Sequence, residues 1–164
     1  IGVRDTSRLE GENNPNVAFT YSGFVYGETP SVLTAAPQAT TNADINSAPG
    51  IYSLTVSGAQ TSNYNISYTS GRLTVYPKDR NAPAMTVYYG GANTVILNIY
   101  SPEPDLADIQ MFDMTGRYLG RKNLYVVPGF SQHQIPVYAA SKGIYVIRYV
   151  GKKNSISKQL PLVQ

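Results

Sequence analysis

The sequence has no cysteine, no tryptophan and a single histidine in 164 residues. Without cysteine there are no disulfides, no thiolate chemistry and no cysteine-based zinc site. Without tryptophan the chain lacks the side chain that sugar-binding platforms commonly favour, and tyrosine, used 14 times, is the main aromatic. No apolar run approaches the length needed to span a bilayer as a helix. A formal net charge of +3 is too slight to argue for a nucleic-acid partner. What the chain does have is 14 glycines and 11 prolines spread along its length, which predicts many turns and no long helices.

One phrase occurs twice. Gly50-Ile51-Tyr52-Ser53-Leu54-Thr55-Val56-Ser57-Gly58 and Gly143-Ile144-Tyr145-Val146-Ile147-Arg148-Tyr149-Val150-Gly151 share Gly-Ile-Tyr, a period-2 alternation and a closing glycine. Each copy reads as a central β-strand. Alternation puts Tyr52, Leu54 and Val56 on one core face and Tyr145, Ile147 and Tyr149 on another. Two such strands predict an all-β chain of two tandem small β domains, the second an Ig-like antiparallel β-sandwich. Pro77-Lys78-Asp79-Arg80-Asn81-Ala82-Pro83 is polar and aperiodic, so the expected domains are 1–77 and 84–164 with a linker at 78–83. The first has a net charge of −2 and the second of +4, so the basic character lies in the second. The chain opens without an initiator Met or a signal-peptide pattern and is expected to be the tail of a longer protein.

Within the first domain, Val17, Phe19 and Tyr21 alternate as a half-buried strand, Ser31 to Thr34 reads as a crossing segment, and Pro37 to Thr41 as an edge strand. Tyr64, Ile66 and Tyr68 alternate as another strand, and Tyr68 to Leu73 reads as a hairpin. Within the second, Met85 to Tyr89 and Val95 to Tyr100 are strands, and Ser101 to Asp108 is a loop. Thr115-Gly116 turns Ile109–Asp113 back along Arg117–Gly120. Tyr125–Val127 and Gln134–Val137 are two further short strands, Tyr138 to Lys142 is a tight turn, and a last strand runs through Ile156, Lys158 and Leu160.

Candidate chemistry is thin. His133 reads as an exposed strand residue, because Ser131 is its neighbour in sequence rather than a partner across a fold. Glu103, Asp105 and Asp108 are calcium-type oxygen donors whose spacing matches no EF-hand pattern, so they read as a solvated loop. Tyr88 and Tyr89, or Tyr64 and Tyr68, offer rings for stacking on sugars, although alternation sends one of each adjacent pair inward. Asn65-Ile66-Ser67 matches the N-glycosylation pattern by chance. Lys152, Lys153 and Lys158 form a basic strand end that a sorting receptor could read. No nucleophile elbow, paired-acid constellation or metal cluster can be assembled, and no cofactor is expected.

Two resemblances add to this reading. The segments Ser7–Pro15, Phe19–Glu28, Pro49–Tyr52, Asn63-Tyr64 and Ser70–Val75 resemble the MBG family of bacterial surface repeat domains. The segments Ile109–Arg117, Ile135-Pro136-Val137, Gly143–Arg148 and Lys158 resemble the C-terminal sorting domain of the type IX secretion system of Bacteroidetes. The resemblances imply a non-enzymatic part of an exported cell-surface protein: a spacer or presentation domain, then a sorting or anchoring domain, with the secretion machinery as partner. The alternative is an adhesion module for glycan or protein.

Overall fold

The computed structural model describes residues 1–137 and 142–162, so the tight turn expected at Tyr138 to Lys142 falls, except for Lys142, outside the described residues. The chain separates into two compact units, Ile1–Lys78 and Asp79–Gln164.

In the first unit a four-stranded sheet has the order β2 (Thr6–Leu9), β6 (Gly71–Tyr76), β5 (Gly50–Ser57), β4 (Gln38–Thr40), and β1 (Gly2–Val3) pairs separately with β3 (Phe19–Thr20). The first Gly-Ile-Tyr phrase is β5, which has a neighbour on each side. Leu54 and Val56 are buried with Val3, Leu73 and Val75, and Tyr52 packs against them. The alternation expected of this strand is therefore observed. Strand β4 is the expected edge strand, and Pro30–Val32 forms one 3-10 turn in the crossing segment.

The hairpin expected at Tyr68 to Leu73 does not form, and residues 64–68 join no sheet ladder. Instead the chain runs parallel to β1, with a bridge from Gly2 to Thr69 and the Thr69 N–H donating to the Ile1 carbonyl at 2.9 Å. Strand β6 then pairs with β2 in parallel from Thr6↔Leu73 to Leu9↔Tyr76. The misleading signal was Ser70-Gly71. A Cβ on Gly71 would lie 2.7 Å from the Val3 carbonyl oxygen, so this glycine permits close approach of two backbones rather than a turn.

The second unit holds seven strands among the described residues: β7 (Ala84–Tyr89), β8 (Thr94–Ser101), β9 (Asp105–Asp113), β10 (Tyr118–Val126), β11 (Gly129–Pro136), β12 (Gly143–Val150) and β13 (Ser155–Leu162). They form two antiparallel sheets, β11-β8-β7 and β10-β9-β12-β13. The inner faces share one core in which Val95, Leu97 and Ile99 meet Ala107, Ile109, Ile147 and Tyr149. The second Gly-Ile-Tyr phrase is β12, again with a neighbour on each side, and Tyr145, Ile147 and Tyr149 are all buried as alternation requires. In an immunoglobulin constant domain the fourth strand joins the first, second and fifth; here the fourth, β10, pairs with the third. The cause is local. The Asp113–Arg117 turn is closed by Asp113 N–H to Arg117 O at 3.1 Å, which returns the chain directly beside β9.

Two boundaries differ from expectation. The loop after β8 shrinks to Pro102–Pro104, because the buried Ser101 hydroxyl donates to the Glu103 carbonyl at 2.6 Å and closes a short turn, leaving Ala107 and Ile109 to face the core. The two strands expected at Arg117–Gly120 and Tyr125–Val127 merge into one, β10 (Tyr118–Val126), whose register slips between Tyr118 and Gly120.

Ile147 is 2% exposed, so Ile147→Asp would bury an unpaired charge. The near-ultraviolet circular dichroism and amide dispersion of the second unit are expected to collapse. Melting identical to the parent would show that this is not the core face.

Candidate recognition surfaces

The three lysines do not form one patch. Lys152 and Lys153 lie in the turn between β12 and β13, whereas Lys158 sits within β13 opposite Ile147. With a strand rise of about 3.3 Å per residue, Lys158 is about 10 Å along from Ser155. Lys153 Nζ is 2.6 Å from Glu103 Oε1, both exposed. Lys158 takes the same phase as Ile156, Leu160 and Leu162 but remains exposed, and no described acid pairs with it. An inward-phase lysine on an edge strand disfavours further strand pairing there.

The acids do not converge on an ion. Asp105 is in phase with the inward Ala107 and Ile109, while Asp108 faces the opposite side of β9. Asp105 Oδ2 accepts from the Tyr149 hydroxyl at 2.6 Å, and Asp105 Oδ1 from Lys152 N–H at 3.1 Å. Asp108 Oδ2 accepts from Gln110 Nε2 at 2.8 Å and faces Arg121 at 3.9 Å, while its Oδ1 is buried without a partner among the described residues. The reading of these acids as a solvated loop is thus corrected, since Asp105 and Asp108 belong to a strand and are held by protein donors.

Asp105 and Tyr149 form a clamp that the sequence did not announce. Burial, reinforced by the hydrogen bond to Asp105, pushes the Tyr149 hydroxyl well above its ordinary pKa. A Cβ on Gly151 would collide with the Asp105 carboxylate, which explains the closing glycine of the second phrase. Tyr149→Phe removes one charge-assisted hydrogen bond, and an expected loss of about 1–3 kcal/mol should appear as a lower melting temperature of the second unit. An unchanged melting temperature would show that the clamp contributes nothing.

His133 is half-buried rather than exposed, because its phase on β11 points it inward opposite Leu97. Its Nε2 is 3.0 Å from Ser131 Oγ. No described acid orients the imidazole, so the pair lacks the third member of a triad. Burial, and then the positive charge of Lys122, holds the His133 pKa below its ordinary value of 6.5. The unfolded chain therefore binds this proton more readily than the folded one does. Stability is expected to fall as pH drops through about 6.5, and His133→Gln should flatten that dependence in thermal melts. A pH profile identical in the two proteins would remove His133 from the account.

The tyrosine pairs divide. Tyr88 is 46% exposed and faces outward, while Tyr89 points inward and its hydroxyl accepts from Asn93 N–H at 3.2 Å. Tyr64 donates to the Glu28 carboxylate and meets Phe24 edge-on with centroids 5.4 Å apart. The Tyr68 hydroxyl donates to the Ala59 carbonyl at 3.2 Å.

Sequence reasoning also missed Asp113 and Arg8. Asp113 Oδ1 accepts from Thr115 Oγ1 at 2.6 Å and from the N–H groups of Thr115 and Arg117, both at 3.0 Å. Led by the Thr115 hydroxyl, these donors hold its pKa down to about 2. An aspartate two residues before Thr115-Gly116 was the available signal. Arg8 is buried, and its guanidinium donates to Asn14 Oδ1 at 2.7 Å and to the carbonyls of Leu9 and Asp44. Nothing in the local pattern marks it. Between the sheets near the Asp113–Arg117 turn lies a cavity of about 780 Å³, walled by apolar groups such as Met111, Ile135 and Ile147. The acid on its lining, Asp113, is committed to the turn.

The geometry is that of two all-β modules whose polar side chains brace turns and edges. Residues 1–74 match the family described as MBG domain (YGX type), and residues 92–162 match the family described as secretion system C-terminal sorting domain. No curated protein matches the chain. The two halves of the chain thus match, in tandem, an MBG-type domain and a secretion system sorting domain, both of non-catalytic kinds. The sorting domain marks an exported protein, bound for the cell surface or the extracellular space, and implies contact with secretion machinery. No helix among the described residues is long and apolar enough to cross a membrane.

Proposed function

We propose that residues 84–164 act as the sorting or anchoring domain of a non-enzymatic surface protein, and that residues 1–77 act as a domain that spaces or presents the modules upstream of it. The observation that carries this reading is the pairing of the sorting-domain match with an open edge strand, β13, whose exposed Lys158 has no described acid beside it. Lys152 and Lys153, at the turn that leads into β13, are separate cations along the same edge that the export machinery would read.

The test fuses residues 79–164 to an exported reporter in a Bacteroidetes host with a type IX system and measures cleavage by external protease on intact cells. Display is expected with the parent segment and loss of display when residues 156–164 are deleted. Because that deletion removes most of β13, a second variant carries Lys152→Glu, Lys153→Glu and Lys158→Glu together, all at exposed positions. Reporter that stays in the periplasm with this variant supports recognition through the lysines. Full display by the charge-reversed variant would overturn their role, and full display by the deletion would overturn the sorting reading.

A further inference from the structure

Among the described residues, the outward side chains of the β11-β8-β7 strands carry no charge. Its rows follow from the registers: Tyr88, Ile96 and Gln134 lie side by side across the three strands, and Thr86, Asn98 and Gln132 form the next row. The outward face of the other sheet, by contrast, carries Asp108, Arg121 and Arg148. Soluble domains ordinarily disperse charge over such a surface. The contrast is sharper because the unit as a whole is basic.

The polar groups on this face are already connected. Gln132 Nε2 donates to Asn98 Oδ1 at 2.9 Å and lies 3.4 Å from the Tyr88 hydroxyl. That chain spans all three strands, which are spaced about 4.8 Å apart. It holds the amide of Gln132 in place and leaves Gln132 Oε1, Asn98 Nδ2 and the Tyr88 hydroxyl proton without partners among the described residues. Beside them Tyr88 exposes 46% of its surface, and Ile96, only 8% exposed, forms an apolar floor. The far end of the face is closed by the chain itself, where the Tyr100 hydroxyl donates to the Arg80 carbonyl at 3.0 Å and its ring packs 5.1 Å from Phe130.

We propose that this face binds an uncharged oligosaccharide. A sugar ring offers axial C–H groups to an aromatic face and several hydroxyls that both donate and accept. Tyr88 supplies the ring, and the linked amides supply carboxamide donors and acceptors at fixed positions, which lowers the ordering cost of binding. Among the described residues no outward side chain of the three strands is a cation. Lys122, from the other sheet, is engaged at the β11 edge with the Gln134 carbonyl at 3.4 Å, and Arg80 lies at the far end beside Tyr100, so the patch of Tyr88, Gln132 and Asn98 itself matches neutral polyols. This site is separate from the basic edge assigned to sorting and stands or falls independently of it.

The test uses the full chain in affinity electrophoresis through gels containing β-1,3-glucan, β-1,4-glucan, α-mannan or β-1,4-galactan, with polygalacturonate as the charged comparison. Retardation by at least one neutral polymer, unaffected by high salt, is expected. Tyr88→Ala and Gln132→Ala should each weaken it about tenfold without changing the melting temperature, Tyr88→Phe should retain most of it, and Arg148→Ala on the other sheet should not alter it. If Tyr88→Ala lowers the melting temperature, Gln132→Ala decides alone. The proposal is overturned if no neutral polymer retards the chain, if polygalacturonate alone does so and salt abolishes the effect, or if the Gln132 variant binds as the parent does.

Discussion

Both units depend on a strand that has neighbours on both sides and removes every second side chain from water. Strand β5 does this between β4 and β6, and β12 between β9 and β13. Full burial of a Leu, Ile or Val contributes about 1.5–3 kcal/mol. A slip of one residue in register would turn the whole apolar set outward, so the alternation fixes the pairing as well as the core. The repeated Gly-x-Tyr packs in the same way in both places. In both copies the tyrosine ring leans back over the glycine two residues earlier on the same face, at 3.5 Å from a Cβ built on Gly50 and 3.8 Å from one on Gly143. The shared phrase is a local packing unit used twice in different sheets.

The polar residues that leave solvent do so to fix loops against these strands. Arg8 is buried, and its partners are an amide oxygen and two backbone carbonyls. Asn14 extends the arrangement by donating to the Ala43 carbonyl at 2.7 Å, so β2 and the loop preceding β5 are tied by one side-chain cluster. In the second unit Asp105 plays the complementary part with an anion, joining the start of β9 to the hydroxyl of Tyr149 and to the turn after β12. Removing either charge would strand neutral partners that have given up their water.

The sequence made the two central strands and the edge strand β4 legible because each is a short run bounded by turn residues, whereas it divided β10 into two strands at Gly120. The hairpin at Tyr68 was misread for a physical reason: Ser70-Gly71 looks the same whether glycine supplies a turn or merely lacks a Cβ. The outward phase of Tyr88 and the inward phase of Tyr89 were implicit in their adjacency, but which of the two faced solvent required the register with β8. His133 was placed wrongly because its phase is set by pairing with Leu97, a residue far away in sequence. The Asp105–Tyr149 clamp was illegible for the same reason, since its two members are 44 residues apart.

The second unit treats its surfaces unequally, and this constrains how it can engage partners. Strand β13 is an edge, yet Lys158 occupies an inward phase and Pro161 lacks an N–H, so the strand is a poor template for backbone pairing. Under the proposed sorting role, a receptor at that edge would have to hold side chains, such as those of Lys152, Lys153 and Lys158. The β11-β8-β7 face has the reverse character, with fully paired backbone in its middle strand and neutral side chains above it. Long-range electrostatic attraction cannot bring a ligand to such a face, and affinity there must come from stacking and directed hydrogen bonds at short range. If both proposals hold, one sandwich carries a charge-dependent edge and a charge-independent face, and salt would distinguish contacts made through the two.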